Sequence, residues 1–221
     1  MAPAASELLS LLAALPASER DAAVEECLGI RDAAVPSTSP GEHLIGHHPS
    51  GVASIMRALF EVPVGAADTV IDLGSGLGKV LFLVQMLTGA KARGIELQAD
   101  LVERARRHNA RLGLDVRFTC GDIRSEALDD GNVFFLYAPC TGPALAAVVA
   151  RLHAVAQHQA IIVMALGVEL DRLAPFLAAR RIDSFWLSVY DSVVPGVPVQ
   201  PRRAPLLDER IERIAFERAP G

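Results

Sequence analysis

Cysteine is scarce: Cys27, Cys120 and Cys140 are the three in 221 residues. They are scattered, odd in number and show no CxxC spacing. That argues against a disulfide framework and against a cysteine-based zinc site, and it fits a reducing compartment. Their expected role is that of small buried apolar residues. No activating arrangement around Cys140 marks it as a nucleophile. Basic charge is also in short supply, with 21 Lys and Arg against 26 Asp and Glu, a net −5. A generic nucleic-acid binder would be basic, so no nucleic-acid partner is expected. Long apolar runs are missing, since none reaches the roughly 18 residues of a membrane span. The opening MAPAASELLSLLAALP has no basic residue before its apolar stretch and holds Glu7 within it, unlike a secretory signal. The expectation is a cytoplasmic protein without a membrane partner. Internal repeats and low-complexity tracts are absent. What is plentiful is apolar: 51% of the residues, enough for a sizeable core in one domain or one domain with a small attachment.

Two short helices are predicted first. Leu8, Leu11, Leu12 and Leu15 form an i, i+3, i+4, i+7 stripe over residues 6–15 that stops at Pro16. A second helix is predicted from Ser18 to about Ile30, with Asp21 three residues on in a capping-box-like arrangement. Residues 36–51 are rich in Pro, Ser and Gly and read as a loop, and residues 51–60 as a helix. From residue 69 strands and helices alternate: TVIDLGS, ARGIEL, VRFTCG, NVFFLYA and AIIVMAL are strands, and KVLFLVQMLTG, ADLVERARRHNARLG, PALAAVVARLHAVA and ELDRLAPFLAARR are helices. That alternation predicts an α/β fold, a doubly wound parallel sheet with helices on both faces. SFWLSVYDSVV and IERIAFER are predicted as two closing strands, antiparallel because the proline-rich stretch between them offers no helical crossover.

The chemistry is concentrated in VIDLGSGLGKV, residues 70–80. A strand runs into Gly74, Ser75, Gly76 and Gly78, and a helix follows. Glycines at such a turn let the backbone bend tightly and let a ligand approach it. The order is GxGxG, with Lys79 where a dinucleotide fingerprint would have its third glycine. Asp72 stands at the carboxyl end of the strand, where open α/β sheets bind ligands. It would repel a pyrophosphate and attract a ligand carrying an ammonium and a sulfonium. Glu96 ends the second strand and can accept from both hydroxyls of a ribose. Asp122, followed by Ile123, comes just after the third strand. It is either the acceptor for an adenine amino group or a turn residue.

On these residues the chain resembles the class I, Rossmann-like S-adenosylmethionine-dependent methyltransferases, over about residues 69–218. The resemblance implies a seven-stranded, mostly parallel sheet with the last strand antiparallel beside the fifth, and S-adenosylmethionine as cofactor, with S-adenosylhomocysteine as product. DLGSGLGKVLFLVQ, GIEL and VFFLYAP are most similar to the non-SET histone-lysine methyltransferases and their bacterial relatives. Tyr137-Ala138-Pro139-Cys140 departs from the asparagine-containing segment of the eukaryotic enzymes and from the Pro-Pro-aromatic segment of amino-group DNA methyltransferases.

The expected organisation is an N-terminal helical cap or lid over residues 1–60 and a methyltransferase domain over residues 61–221. The expected cofactor-binding residues are Asp72, Gly74, Ser75, Gly76, Gly78, Glu96, Asp122, Ile123 and Tyr137. His47 and His48 on the loop before the domain, with His43 close by, are candidate bases, since histidine titrates near neutral pH. Tyr137 is a candidate to line the site, or else an inward-facing strand residue. The expected acceptor is a small molecule methylated at an O, N or C centre. The alternatives are a protein or peptide lysine and a non-catalytic adenosylmethionine binder. A homodimer is possible on the same reading. No metal is expected. Arg104, Arg107 and Arg111 share a helical face that is expected to be solvated, and Arg202 and Arg203 are expected to be exposed.

Overall fold

A computed structural model of the chain describes residues 2–30, 41–200 and 208–216. The helices at the start are α1 (Ala5–Ala14), α2 (Ala17–Leu28) and α3 (Val52–Glu61). The alternating region follows as β1 (Thr69–Leu73), α4 (Lys79–Thr88), β2 (Lys91–Glu96), α5 (Ala99–Leu112), β3 (Val116–Cys120), β4 (Val133–Tyr137), α6 (Gly142–Ala156) and β5 (Ile162–Leu166). The chain then runs through β6 (Leu177–Ala179) and β7 (Leu187–Ser192) to α7 (Glu209–Phe216).

The strands form one sheet in the order β3-β2-β1-β4-β5-β7-β6. β7 lies between β5 and β6 and is antiparallel to both; the remaining pairs are parallel. The order reverses between β1 and β4, and at such a switch point the carboxyl ends of the strands open a crevice. β1, β4 and β5 are buried almost throughout because helices cover both faces. On one face Phe134, Leu136, Val163 and Tyr190 pack with α6. On the other, Val70, Phe135, Met164 and Val189 pack in a cluster that takes in α1, α2, α3, α4, α5 and α7.

The closing region differs from the expected one. ELDRLAPFLAARR is not a helix: turns lead into β6 at its end. Pro175 breaks the period, and Phe176 stacks on His153 of α6 with ring centroids 4.5 Å apart. IERIAFER is not the seventh strand but α7 as far as Phe216. Ile211 and Ile214, three apart, are both buried, and Phe216 meets Phe60 of α3 edge-on at 5.1 Å. The short β6 takes the place of that strand.

The N-terminal helices form where expected, with altered faces. α1 buries Leu8, Leu9 and Leu12, while Leu11 is 40% exposed. α2 has Pro16 at its N-cap and no side-chain cap. Asp21 instead accepts from the Val52 backbone N–H at 3.0 Å, holding the start of α3. Buried Arg20 donates from Nε to the Leu12 and Leu15 carbonyls, at 2.8 and 3.1 Å, and so closes α1. Residues 36–40 of the expected loop and Arg202 and Arg203 lie outside the described residues.

Candidate active site

A cavity of about 360 Å³ opens at the β1/β4 switch point, within the range of small-ligand sites. Its floor is the turn from β1 to α4. Gly74, Gly76 and Gly78 all have positive φ, +99°, +51° and +88°, which glycine adopts without a steric penalty. The turn is tied to β2: the Gly74 and Ser75 N–H groups donate to the Ile95 carbonyl at 2.9 and 3.1 Å. Ser75 fills the space above Gly94 where a side chain would otherwise stand.

The three glycines serve different purposes. Gly74 and Gly76 line the cavity. Gly78 does not: a Cβ there would stand 2.7 Å from the Phe118 ring, so its bareness lets the turn pack on β3. At Gly76 a Cβ would meet the His47 imidazole at 2.5 Å. The pre-domain loop therefore lies directly over the glycine turn.

Glu96 is buried and faces back on the same turn. Its Oε2 accepts from the Gly76 N–H at 3.0 Å and its Oε1 from the Gln98 N–H at 2.9 Å. Asp72 is 3% exposed. Burial, and then the charge of Glu96, push its carboxyl up to about 8. Two carboxyl groups so close in one low-dielectric pocket favour a ligand whose positive charge offsets their ionisation. Lys79, at the first position of α4, is buried and ion-paired with Asp21 at 3.1 Å and Glu25 at 3.0 Å of α2.

Asp122 lines the cavity, and its carboxylate is engaged within its own turn. The Arg124 guanidinium and backbone N–H donate to it, which holds its pKa below the usual range. Ile123 is buried, while Leu97 leaves part of its side chain exposed in the cavity. Together they give this end an apolar slot that suits a flat heterocycle.

At the other end stands Tyr137, 37% exposed. Beyond it Ala138 has φ +35°, uncommon for a residue with a side chain. Here the pre-domain loop crosses the segment after β4. Leu44 and Cys140 form an antiparallel bridge, Ile45 N–H donates to Pro139 O at 3.0 Å, and Thr141 N–H to His43 O at 2.9 Å. The bridge brings Leu44, Ile45, His47, His48, Pro49 and Ser50 over the cavity. His47 is desolvated, which lowers its pKa despite the nearby Glu96. His43 is used in the bridge, with its Nε2 3.6 Å from Glu42 Oε1, and it does not line the cavity.

None of the three cysteines, and none of Arg104, Arg107 and Arg111, lines the cavity. Cys140 is buried under the bridge, and burial raises its thiol to about 11, the reverse of an activated nucleophile. Cys27 is half-buried and Cys120 exposed, contrary to the expectation that all three are buried. The expected solvated arginine face is partly structural: Arg111 donates to the Leu28 carbonyl at the end of α2, and Arg107 pairs with Glu103 at 3.0 Å. Among the described residues no group of His, Cys, Asp and Glu is arranged to hold a metal, and no helix is long and apolar enough to cross a membrane.

The residues present fit adenosylmethionine. Glu96 supplies negative charge and Asp72 a carboxyl that can ionise against a bound cation, Gly74 and Gly76 supply close backbone approach, and Leu97 and Ile123 supply an apolar slot. Lys79, Leu97 and the Leu44–Ile45 wall were not among the expected site residues. The one signal for them is that Lys79 directly follows the last glycine.

Comparison with known proteins gives the family and the fold. A family model described as a methyltransferase domain matches residues 65–180. An uncharacterized protein of Methanocaldococcus jannaschii is 37% identical over 57 residues, which covers 26% of this chain and 26% of that protein. The chain thus spans about a quarter of the length of that curated relative. Among solved structures, an RNA methyltransferase from Salinibacter ruber in complex with S-adenosylhomocysteine superposes with a TM-score of 0.55 at 24% identity, covering 68% of this chain and 97% of that one. A SAM-dependent methyltransferase from Aquifex aeolicus gives 0.51 at 17% identity, covering 66% and 94%. With its sheet order, its glycine turn and a match over more than half its length, the chain belongs to the methyltransferase-domain family, enzymes whose cofactor is S-adenosylmethionine.

Proposed function

We propose that the enzyme methylates a small-molecule acceptor at an O, N or C centre. The supporting observation is the wall that the pre-domain loop builds on one side of the Tyr137 end of the cavity. The Leu44–Cys140 bridge and the loop from Ile45 to Ser50 wall one side of it, over a cavity of about 360 Å³. When bound, the cofactor supplies a methyl group on a sulfonium, already a good leaving group. The protein's share is positioning, which can be worth roughly 7–11 kcal/mol in favourable cases. In this reading Asp72 and Glu96 hold the cationic ligand, with Gly74, Ser75 and Gly76 as its bed and Asp122 and Ile123 at its adenine end. Tyr137 orients the acceptor. His47, kept neutral by desolvation, takes the acceptor proton as the new bond to carbon forms, and His48 stands beside it. Residues 1–60 are the cap to the domain at residues 61–221; their described helices α1, α2 and α3 share one apolar cluster with it and hence act as a fixed wall.

The test is transfer from methyl-labelled S-adenosylmethionine into a fractionated extract of small molecules and, separately, of proteins. Label in the small-molecule fraction is expected. Label confined to protein would replace this reading with a peptide or lysine methyltransferase. Cofactor binding with no transfer to either fraction would make the protein a sensor.

A further inference from the structure

Past Tyr137, the sheet edge continues through Gly167 to Trp186. Gly167 follows β5 with φ +64°, and a Cβ there would be 3.4 Å from the Tyr137 ring. Its N–H donates to the Trp186 carbonyl at 2.9 Å. Trp186 directly precedes β7, whose first residue, Leu187, is in register with Leu166, itself in register with Tyr137. The rim beside the reaction end of the cavity is therefore one row of backbone. On that row Phe185 is 90% exposed and Trp186 64% exposed. Their ring centroids are 5.2 Å apart and the ring planes lie at 88°. Ser184 fixes the turn, its Oγ accepting from the Leu187 N–H at 3.0 Å.

We infer that this aromatic pair is the outer part of the acceptor site and that the acceptor is a planar aromatic molecule. Perpendicular rings make an inside corner: one face for stacking, the other for edge contact, the two arrangements aromatic rings prefer. An aliphatic or strongly polar acceptor would use neither. Among the described residues, the bridge from Leu44 to Cys140 walls the segment after β4, while Gly167, Phe185 and Trp186 carry the row on from Tyr137 as a flank just outside the cavity lining. A second copy of the chain seated on the pair would lie across that flank, which an enzyme has to keep clear. The inference rests on the small-molecule reading above and names its substrate class.

Trp186 is the chain's one tryptophan, so a nitrogen-15-labelled sample has one indole N–H resonance, and that resonance reports this surface. The full chain, saturated with S-adenosylhomocysteine, is titrated with 2-naphthol, with cyclohexanol as control. A saturable shift is expected with naphthol and not with cyclohexanol. Phe185→Ala should weaken the naphthol midpoint roughly three- to tenfold, the size of an aromatic pair's contribution. Calorimetry should give Phe185→Ala and Trp186→Phe the wild-type affinity for S-adenosylhomocysteine. No naphthol shift, an equal cyclohexanol shift, an unchanged midpoint in Phe185→Ala, or a resonance that moves with protein concentration alone would overturn the inference. Failure of the wild type to bind S-adenosylhomocysteine would instead remove the cofactor reading beneath it.

Discussion

The imidazole of His47 lies on the bare face of Gly76, where a β-carbon would come within 2.5 Å of the ring. The two residues belong to different parts of the chain, one to the loop before the sheet and one to the turn after β1. Gly76→Ala should therefore disturb both. It pays about 1 kcal/mol for a side chain at positive φ, displaces His47 and disturbs the N–H donated to Glu96. At least a tenfold loss of S-adenosylhomocysteine affinity is expected by calorimetry. An unchanged affinity would mean that the cofactor does not use this turn.

Glu96→Ala removes the acceptor of two backbone N–H groups as well as the ligand contact proposed for it. A loss of about 1.5–3 kcal/mol in cofactor binding is expected, the size of a charge-assisted hydrogen bond. Because the same carboxylate braces the glycine turn, Tm of the ligand-free protein should fall too. Normal binding by the variant would show the site to be misassigned.

Asp72 makes ligand-free stability depend on pH. Its folded pKa of about 8 lies above the ordinary 3.8. Between those values the folded chain holds a proton that the unfolded chain has released, so this contribution to stability falls as pH rises through the window. Wild-type Tm should drop more than that of Asp72→Asn between about pH 5 and about pH 9. A cationic ligand favours the ionised carboxylate, so S-adenosylmethionine binding near neutral pH should release a proton that Asp72→Asn does not. Equal proton release in calorimetry across buffers of different ionisation enthalpy would refute this.

The double variant His47→Ala, His48→Ala should lose turnover by about a hundredfold or more, the contribution of a positioned base. Cofactor affinity should change less than turnover. Burial lowers the His47 pKa, so wild-type turnover should hold steady as pH falls to the ordinary histidine value of 6.5 and decline only below it. Unchanged turnover would leave proton removal to solvent.

Much of the site was legible because it is local. Asp72, Gly74, Gly76 and Glu96 sit at strand ends, and a strand end adjoining glycines declares its position in the sequence. The expected role of Gly78 was less local: its space is taken by Phe118, which only the folded sheet brings there. Asp122 carried two readings, and the neighbour two residues on, Arg124, holds its carboxylate in the turn. At the closing end, IERIAFER has too few residues to separate a helical period from alternation. Its two isoleucines are settled by the α3 surface they meet. β6 spans three residues, shorter than any pattern that alternation can reveal.

Arg210, at the start of α7, donates to the Ser6 carbonyl at 3.0 Å and to Ser10 Oγ at 2.8 Å. α1 and α7 therefore complete each other across some two hundred positions. The α1 leucines share a cluster with Ile211 and Ile214 of α7 as well as with α2, α3 and α4. Contacts this distant in sequence form late, because their loop-closure entropy must be met first. The docking of α1 on α7 is thus expected among the later steps of folding, after the more local pairings of the sheet are in place.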